Sequence, residues 1–287
     1  MSKIKNWKNF LLEYVQVESF KYNIFDWDDN LLEMETPLHF QHFEDGKWVN
    51  KDISTTEFAQ IRKQYPNNYM DNNEWKGDNN YSFIEFRDFG PRGINAFLED
   101  VKKSIKDKKF GPSWDEFLNT LIEGRLFAIV TTRGHEPSTI RSAVEYIIDN
   151  VLTTDEKDEM IKNLKNFNEM FNVQVDDANI IKQYLNECYF IGLMSQAFLD
   201  EFNYKPLGPK MNQGKQDAIN KFVNYVRDFS KRMKKPLKVG FSDDDVKFSG
   251  AAKELFMGME KSLDFPENFY VFDTSNPKLK GGVKVKI

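Results

Sequence analysis

The chain has 287 residues, of which 40% are hydrophobic and 15% aromatic, enough apolar material for one large core and a smaller second lobe. Its formal net charge of −5 does not favour wholesale electrostatic binding of nucleic acid, although a local basic patch stays open. The single cysteine, Cys188, excludes an internal disulfide, and no apolar stretch is long enough to cross a membrane. We therefore predict a globular, cytoplasmic protein that is not inserted in a membrane.

Short apolar runs alternate with longer helical patterns along the chain. The first segment, "WKNFLLEYV" (residues 7–15), has apolar residues three and four positions apart and predicts a short amphipathic helix. Runs of strand length follow at "YNIF" (22–25), "LFAIVTT" (126–132), "LKVGF" (237–241) and "FYVFDT" (269–274). Helical patterns such as "SAVEYIIDNVL" lie between most of them. This alternation predicts an α/β fold, a parallel sheet with helices on both faces.

Residues 33–115 separate the first two strand runs and are too long for a simple connection. Within them, "HFQHF" followed by "EDGKW" predicts a β-hairpin. A metal site at His39 and His42 is the weaker alternative, because no cysteine or third histidine lies close in the sequence. The segment "STTEFAQIRKQYP" opens with a capping-box pattern, Ser54 to Glu57, and predicts a helix. The Asn- and Asp-rich stretch after it predicts a loop.

The remaining segments have weaker patterns. Residues 150–210 are mostly helical in pattern, with "YFIGLMS" as a further short strand candidate. The basic run "SKRMKKPLK" (230–238) is typical of a solvated helix end, with contact to a nucleic-acid backbone as the alternative. The chain ends in "NPKLKGGVKVKI", whose two glycines and many lysines predict a mobile tail.

Polar side chains follow the predicted strands. Asp26 and Asp28 follow the first strand, Thr131 ends the second, and the run Ser242 to Asp245 follows the third. These residue types also form turns and cap helices, so a purely structural role is the alternative for each one taken singly. In parallel α/β sheets, ligands bind outside the carboxyl ends of the strands. The sequence therefore predicts a polar site at that edge of the sheet.

Four segments carry a resemblance to a known family. They are "IFDWDDN" (24–30), "LFAIVTTRG" (126–134), "NQGKQDAINKFVNYV" (212–226) and "VGFSDDDVKFSGAAKEL" (239–255). With these motifs in this order, the chain resembles the haloacid dehalogenase-like (HAD) phosphatase superfamily. The first motif of that family is Asp-x-Asp-x-Thr or Val after an apolar strand, and here Asn30 stands in its fifth position. The resemblance implies a Rossmann-like core of residues 1–32 and 116–287, with residues 33–115 inserted as a cap or lid.

The resemblance also implies a mechanism. Asp26 would attack phosphorus and form an aspartyl phosphate. Asp28 would protonate the leaving oxygen and then deprotonate the water that hydrolyses the intermediate. Thr131 and Lys215 would stabilise the charge that develops during transfer. Three nearby lysines compete for the role of this lysine: Lys210, Lys221 and Lys231.

A Mg²⁺ cofactor is implied as well, since carboxylates this close together need a cation and Mg²⁺ prefers oxygen ligands. The expected ligands are Asp26, the backbone carbonyl of Asp28, and Asp243. Asp244 is the second choice within the last motif, where it would bind directly or through water. Asp245 is expected to cap the helix that follows.

The same resemblance indicates a substrate class. Thr132 and Arg133 are expected to bind substrate, because the Thr-x-Arg pattern is similar to that of members acting on nucleotide or nucleic-acid ends. In the insertion, Arg87 and Arg92 would reach a second anionic group, with surface ion pairs as the alternative. His135 could contact substrate or cap a helix. We predict a Mg²⁺-dependent phosphomonoesterase for a nucleotide or nucleic-acid phosphate end. A sugar-phosphate phosphatase and a catalytically idle binding protein are the alternatives.

Overall fold

The computed structural model describes residues 19–78, 81–170, 176–204, 210–259 and 266–287. The helix expected over residues 7–15 lies outside these ranges. Strands and helices alternate through the described chain, which confirms the α/β class. None of the helices in these ranges combines the length and the apolar composition needed to pass through a membrane.

The described residues form nine strands, and the four apolar runs expected to be strands are among them. The further candidate in the segment "YFIGLMS" is also a strand. In chain order the strands are β1 (Phe20–Phe25), β2 (Leu38–Glu44), β3 (Lys47–Ile53), β4 (Trp75–Lys76), β5 (Phe127–Thr131), β6 (Tyr189–Gly192), β7 (Leu237–Asp243), β8 (Glu267–Asp273) and β9 (Val283–Lys286).

The same ranges contain nine α-helices and two short 3₁₀ turns, the turns at Ile84–Phe86 and Asp177–Asn179. The helices are α1 (Thr55–Gln64), α2 (Ala96–Lys106), α3 (Trp114–Ile122), α4 (Pro137–Asn150), α5 (Thr154–Met170), α6 (Ile180–Glu187), α7 (Gln196–Glu201), α8 (Met211–Met233) and α9 (Val246–Gly258). The predicted capping box is confirmed: the Ser54 hydroxyl accepts the Glu57 N–H, and the Glu57 carboxylate accepts the Ser54 N–H.

The larger sheet has six strands in the order β6-β5-β1-β7-β8-β9. The five strands from β6 to β8 are parallel to one another, and β9 is antiparallel to β8. Parallel strands covered on both faces favour apolar residues at successive positions. Every residue of β5, for example, is buried. The predicted parallel sheet is therefore present, with one antiparallel strand added at its edge.

That added strand corrects the expectation of a mobile tail. Residues 283–286 pair with β8, with Val285 opposite Val271. The chain reverses at Gly281 and Gly282, whose φ angles are +74° and +68°, a conformation that glycine adopts without steric cost. The alternating Val and Lys residues suit an edge strand, because lysine discourages further pairing at the open edge. The glycines thus form a turn into a strand and not a loose end.

Helices lie on both faces of the sheet at β1. The Phe25 ring packs edge-on against Phe117 of α3, with ring centroids 5.4 Å apart, and the Asn23 side chain donates to Thr120 of the same helix at 2.7 Å. Tyr22 lies beside Ser230 of α8. Because successive side chains of a strand point to opposite faces, α3 and α8 cover opposite faces of β1.

A second, three-stranded antiparallel sheet has the order β3-β2-β4. Strands β2 and β3 form the predicted hairpin, and its turn residues Asp45 and Gly46 have φ angles of +51° and +80°, as a two-residue turn of this type requires. His39 bonds to Asp52 in this sheet, at 2.6 Å. His42 bonds to other carboxylates, and the pair does not converge on a shared metal position within the described chain.

Two hydrophobic clusters divide the region predicted as an insertion. The smaller cluster lies between the second sheet and α1, whereas α2 and α3 pack in the main core through Phe97, Val101 and Trp114. Among the described residues, the second sheet and α1 share a separate core, so the part of residues 33–115 that packs on its own is shorter than that range. The smaller cluster consists of Leu38, Phe40, Ile53, Ile61 and Trp75.

Candidate functional site

Three carboxylates meet at the carboxyl ends of β1 and β7. Asp26 follows β1 directly, Asp243 is the last residue of β7, and Asp244 comes next. They converge because β1 and β7 are paired in register, with Phe25 opposite Ser242. One oxygen atom from each carboxylate lies within 4.8 Å of the other two, and within the described residues this is the group suited to a metal ion. The structure thus brings together three of the four acids predicted to hold Mg²⁺.

Lys215 lies near the start of α8 and is only 1% exposed. Its Nζ donates to Asp26 Oδ1 at 2.7 Å and also to Asp243 Oδ2. The same nitrogen lies 4.1 Å from the centroid of the Phe248 ring. Of the lysines that competed for this role, Lys221 instead pairs with Glu201. Lys215 is therefore the lysine that serves the acidic cluster.

Burial and crowding raise the pKa values of these acids. Burial is the largest cause at Asp26, where Lys215 only partly opposes it and the charges of Asp243 and Asp28 add to it, so that the pKa is raised to about 8. Burial likewise raises the pKa of Asp244 to about 8, and the Asp26 charge is the next cause. Burial alone would lower the pKa of Lys215, but its two carboxylate partners raise it above the ordinary value. The lysine stays charged, and it offsets only part of the negative charge around it.

An oxygen-only donor set of this kind fits a hard divalent cation. Mg²⁺ binds through carboxylate and carbonyl oxygen atoms, and Asp26, Asp243 and Asp244 supply three such side chains. A bound cation would also offset the charge that raises the pKa values of the cluster. The residues present therefore fit Mg²⁺, with Lys215 supplying the remaining positive charge.

Asn30 ties three strand ends together. It is fully buried, and its Nδ2 donates to the Asp26 carbonyl at 3.0 Å and to the Ser242 carbonyl and hydroxyl at 3.2 and 3.1 Å. Its Oδ1 accepts from the Thr274 hydroxyl, beyond β8, at 2.8 Å. A threonine has one hydroxyl and could not make these four bonds. The residue that departs from the family motif thus has a structural role directly behind Asp26.

Asp28 does not point into the acidic cluster. Its carboxylate accepts two parallel hydrogen bonds from Arg133, from Nε at 2.8 Å and from Nη2 at 2.6 Å. Among the described residues it is absent from the group suited to a metal, so its backbone carbonyl is the part left for that role. Arg133 is 1% exposed, and its guanidinium holds Asp28, so the substrate contact expected from the sequence stays a prediction.

The two threonines of the second motif differ in exposure. Thr131 is fully buried at the end of β5, and its hydroxyl accepts the Arg133 N–H at 3.3 Å. Thr132 is exposed. Because β5 is the parallel neighbour of β1, its last residue Thr131 and the following Thr132 lie at the same end of the sheet as Asp26. Thr131 is thus placed as predicted, and Thr132 is open to a ligand.

The two arginines expected to read the substrate have different surroundings. Arg92 is held in a two-point ion pair by Asp100, with Nη1 at 3.0 Å from Oδ2. Arg87 forms no ion pair with the described residues. Its guanidinium lies over the Phe89 ring, 5.6 Å from the centroid, and its backbone bridges to Gly134 just past Thr131. Arg87 is therefore free to meet an anion, whereas Arg92 is already paired.

His135 has a structural partner in the insertion. Its Nδ1 donates to Asp88 Oδ1 at 2.9 Å, while Asp88 Oδ2 accepts from the Glu136 N–H and the Thr139 hydroxyl. Asp88 thereby caps the first turn of α4 from a distant part of the chain. Burial lowers the pKa of His135, and the bond to Asp88 only partly opposes this. His135 therefore supports a helix start and is not exposed to substrate.

Asp245 caps α9 as predicted, its Oδ1 accepting the Lys247 N–H at 2.8 Å. Its Oδ2 also accepts from Arg62 of α1 at 3.2 Å. The Asp245 N–H in turn donates to Asp243 Oδ1 at 2.9 Å. Through these bonds α1 is joined to the edge of the acidic cluster.

Sequence reasoning missed the residues that surround Asp28 and Arg133. Thr36, Asp88 and Asp100 do not belong to any recognisable sequence motif. Each bonds to a residue at least 47 positions away, so its neighbours in the sequence do not indicate its role. Asp29 belongs to the run of aspartates in the first motif, and burial raises its pKa to about 7.

No family model, curated protein or solved structure matches this chain.

Proposed function

We propose that the protein is a Mg²⁺-dependent phosphomonoesterase in which Asp26 is the nucleophile. The observation that carries the proposal is the arrangement of Asp26 at the end of β1, within hydrogen-bonding distance of the buried cation Lys215 and next to Asp243 and Asp244. A carboxylate held beside a buried cation at a sheet edge is suited to attack on an electrophile that carries negative charge.

In the first step an Asp26 oxygen attacks phosphorus, and the bond between phosphorus and the ester oxygen breaks. The leaving oxygen takes a proton from Asp28. In the second step water loses a proton to Asp28 and attacks phosphorus, which releases inorganic phosphate and restores the Asp26 carboxylate. Lys215 and the Thr131 hydroxyl stabilise the charge that develops on the phosphoryl oxygens.

Mg²⁺ would be held by oxygen atoms of Asp26, Asp243 and Asp244 and by the Asp28 carbonyl. When bound, it supplies a Lewis acid that offsets charge on the transferred phosphoryl group. The side chains of this chain do the rest: Lys215 orients Asp26 and Asp243, and Asn30 fixes the backbone behind them.

We also propose that the larger sheet is the Rossmann-like core of a HAD-like protein and that the unit around the second sheet is its lid. The bond from Arg62 of α1 to Asp245 supports this placement, since it joins that unit to the edge of the site. An arginine lying over an aromatic ring, as Arg87 lies over the 72%-exposed Phe89, offers a surface on which a base can stack. This pair supports a nucleotide or nucleic-acid end as substrate.

The test is a panel of phosphoesters assayed with Mg²⁺ and with EDTA. Wild type should hydrolyse an aryl phosphate only with Mg²⁺, and Asp26→Asn should remove the activity while leaving thermal unfolding near wild type. Asp273→Asn is the matched control, because Asp273 also ends a strand at this edge, but among the described residues its side chain bonds only to the Ser275 N–H. Activity of Asp26→Asn equal to that of wild type would exclude this mechanism. No hydrolysis of any ester would favour the binding-protein alternative.

A further inference from the structure

Arg133 is a buried cation whose hydrogen-bonding capacity is used inside the protein. A guanidinium has five N–H groups. Two of them hold Asp28, one donates to the Thr36 hydroxyl at 2.9 Å, and one points to His135 Nε2 at 3.5 Å. His135 accepts there because its Nδ1 carries the hydrogen donated to Asp88. With the side chain almost fully buried, little of this cation is left for a ligand.

Residues between positions 33 and 115 form most of the surroundings of this guanidinium. The Arg133 Cζ atom lies 4.2 Å from the centroid of the Phe86 ring and 5.3 Å from that of Phe97. The Gly134 N–H donates to the Phe86 carbonyl at 2.8 Å, which fixes the backbone next to Arg133. The planar guanidinium is thus oriented by aromatic rings from one part of the chain while it binds Asp28 of another.

The hydrogen bonds continue outward from Arg133. Thr36 accepts from Arg133 and donates its own hydrogen to Asp100 Oδ2 at 2.7 Å. Asp100 in turn pairs with Arg92, which is half-buried at the far end. Thr36, Asp100 and Arg133 are all buried, so each donor and acceptor in this series depends on its partner.

We propose that Arg133 is a positioning residue for Asp28, and that Thr36, Phe86 and Phe97, which all lie between residues 33 and 115, set the orientation of the acid–base group of the reaction. This inference rests on the proposed phosphomonoesterase function. Two parallel bonds to one carboxylate fix both its position and its plane. Proton transfer requires such placement, because small displacements of a catalytic group cost large factors in rate.

The experiment compares Arg133→Met with Asp28→Asn and with the double variant on an alkyl phosphate, whose poor leaving group needs a proton. Arg133→Met should lower kcat at least about tenfold with KM within about threefold of wild type. In the Asp28→Asn background the same change should lower kcat by no more than about twofold, because Arg133 acts only through Asp28. Arg133→Lys keeps the charge without the two-point bond and should stay within about threefold of Arg133→Met.

Two less disruptive variants, Thr36→Val and Thr120→Val, test the proposal if Arg133→Met does not fold. Thr36→Val removes one hydroxyl from the series at nearly constant volume and should lower kcat about threefold on esters with poor leaving groups, with KM unchanged. Thr120→Val is the matched control: Thr120 is equally buried but bonds to Glu116 and Asn23, away from Asp28. Its kinetics should equal those of wild type. Equal kinetics for Thr36→Val and Thr120→Val would overturn the role of Thr36 in orienting Asp28.

Other outcomes are also decisive. A tenfold rise in KM with unchanged kcat for Arg133→Met would show that Arg133 binds substrate. A further tenfold loss of kcat in the Asp28→Asn background would show that it acts independently of Asp28. If wild type hydrolyses no ester, the proposed function fails, and thermal unfolding of the same four proteins still tests the pair. The sum of the Tm shifts of the two single variants should then exceed the Tm shift of the double variant. A double-variant shift equal to that sum would refute the coupling between Arg133 and Asp28.

Discussion

Asn30 gives the sharpest test of how the site is held together. Asn30→Ala removes four hydrogen bonds that join the ends of β1, β7 and β8 at a fully buried position. A buried hydrogen bond contributes about 0.5–1.5 kcal/mol net, and the orphaned partners add a desolvation cost. Three of the bonds, to the Asp26 carbonyl and to the Ser242 carbonyl and hydroxyl, come from the same amide nitrogen, Nδ2, so their free energies are not independent. We expect a loss of about 2–4 kcal/mol in the free energy of unfolding.

The assay is equilibrium unfolding in urea, read as a shift in the midpoint at constant slope. Thr274→Val removes one of the four bonds and should cost about 1 kcal/mol. Asn224→Ala is the matched control, since Asn224 is exposed on α8 and its two side-chain bonds, to Asn220 at 3.3 Å and from Arg227 at 3.2 Å, lie at the surface of one helix. It should change stability by less than about 0.5 kcal/mol.

A loss of less than about 1 kcal/mol for Asn30→Ala, with an unchanged slope, would refute this role of Asn30. A loss of that size would mean that water or relaxed backbone replaces the amide. The variant should also lower the rate of phosphoester hydrolysis, because the carbonyl of Asp26 would no longer be held. A stability loss with unchanged hydrolysis would separate the two roles of Asn30.

Three further predictions follow from the site. Asp243→Ala should weaken activation in a Mg²⁺ titration of hydrolysis, whereas Asp245→Ala should mainly cost about 1 kcal/mol of stability as a lost helix cap, and the reverse pattern would show that the metal ligands are misassigned. His135 has a lowered pKa when folded, so the unfolded chain takes up more protons as the pH falls below about 6.5 and stability is lost there. His135→Asn should reduce that loss in urea melts from about pH 5 to pH 8, and a wild-type pH dependence in the variant would contradict this. Arg87→Ala should lower kcat/KM on a nucleotide at least about tenfold and leave aryl phosphate within about threefold, while Arg92→Ala, which breaks an ion pair, should lower Tm without changing this preference.

The sequence by itself determined the elements and the edge at which the acids lie. Continuous apolar runs predicted the buried parallel strands, because such strands are covered on both faces. The position of Asp26 and Asp243 directly after two of these runs predicted that they would meet, since parallel strands end at one edge. Local signals also predicted the capping box at Ser54 and the cap at Asp245. Each of these inferences depends on residues within a few positions of one another.

Only the tertiary structure decided the partners of the polar side chains. Arg133 bonds to Asp28 across 105 positions, and Asn30 reaches Thr274 across 244. No local pattern distinguishes an arginine that binds substrate from one that binds a carboxylate, because both have the same donors. The choice depends on which groups the folded chain places within about 3 Å, and on whether burial removes the competing water. For the same reason the sequence pattern could not show that the last residues pair with β8, since their partner edge exists only after the sheet has formed.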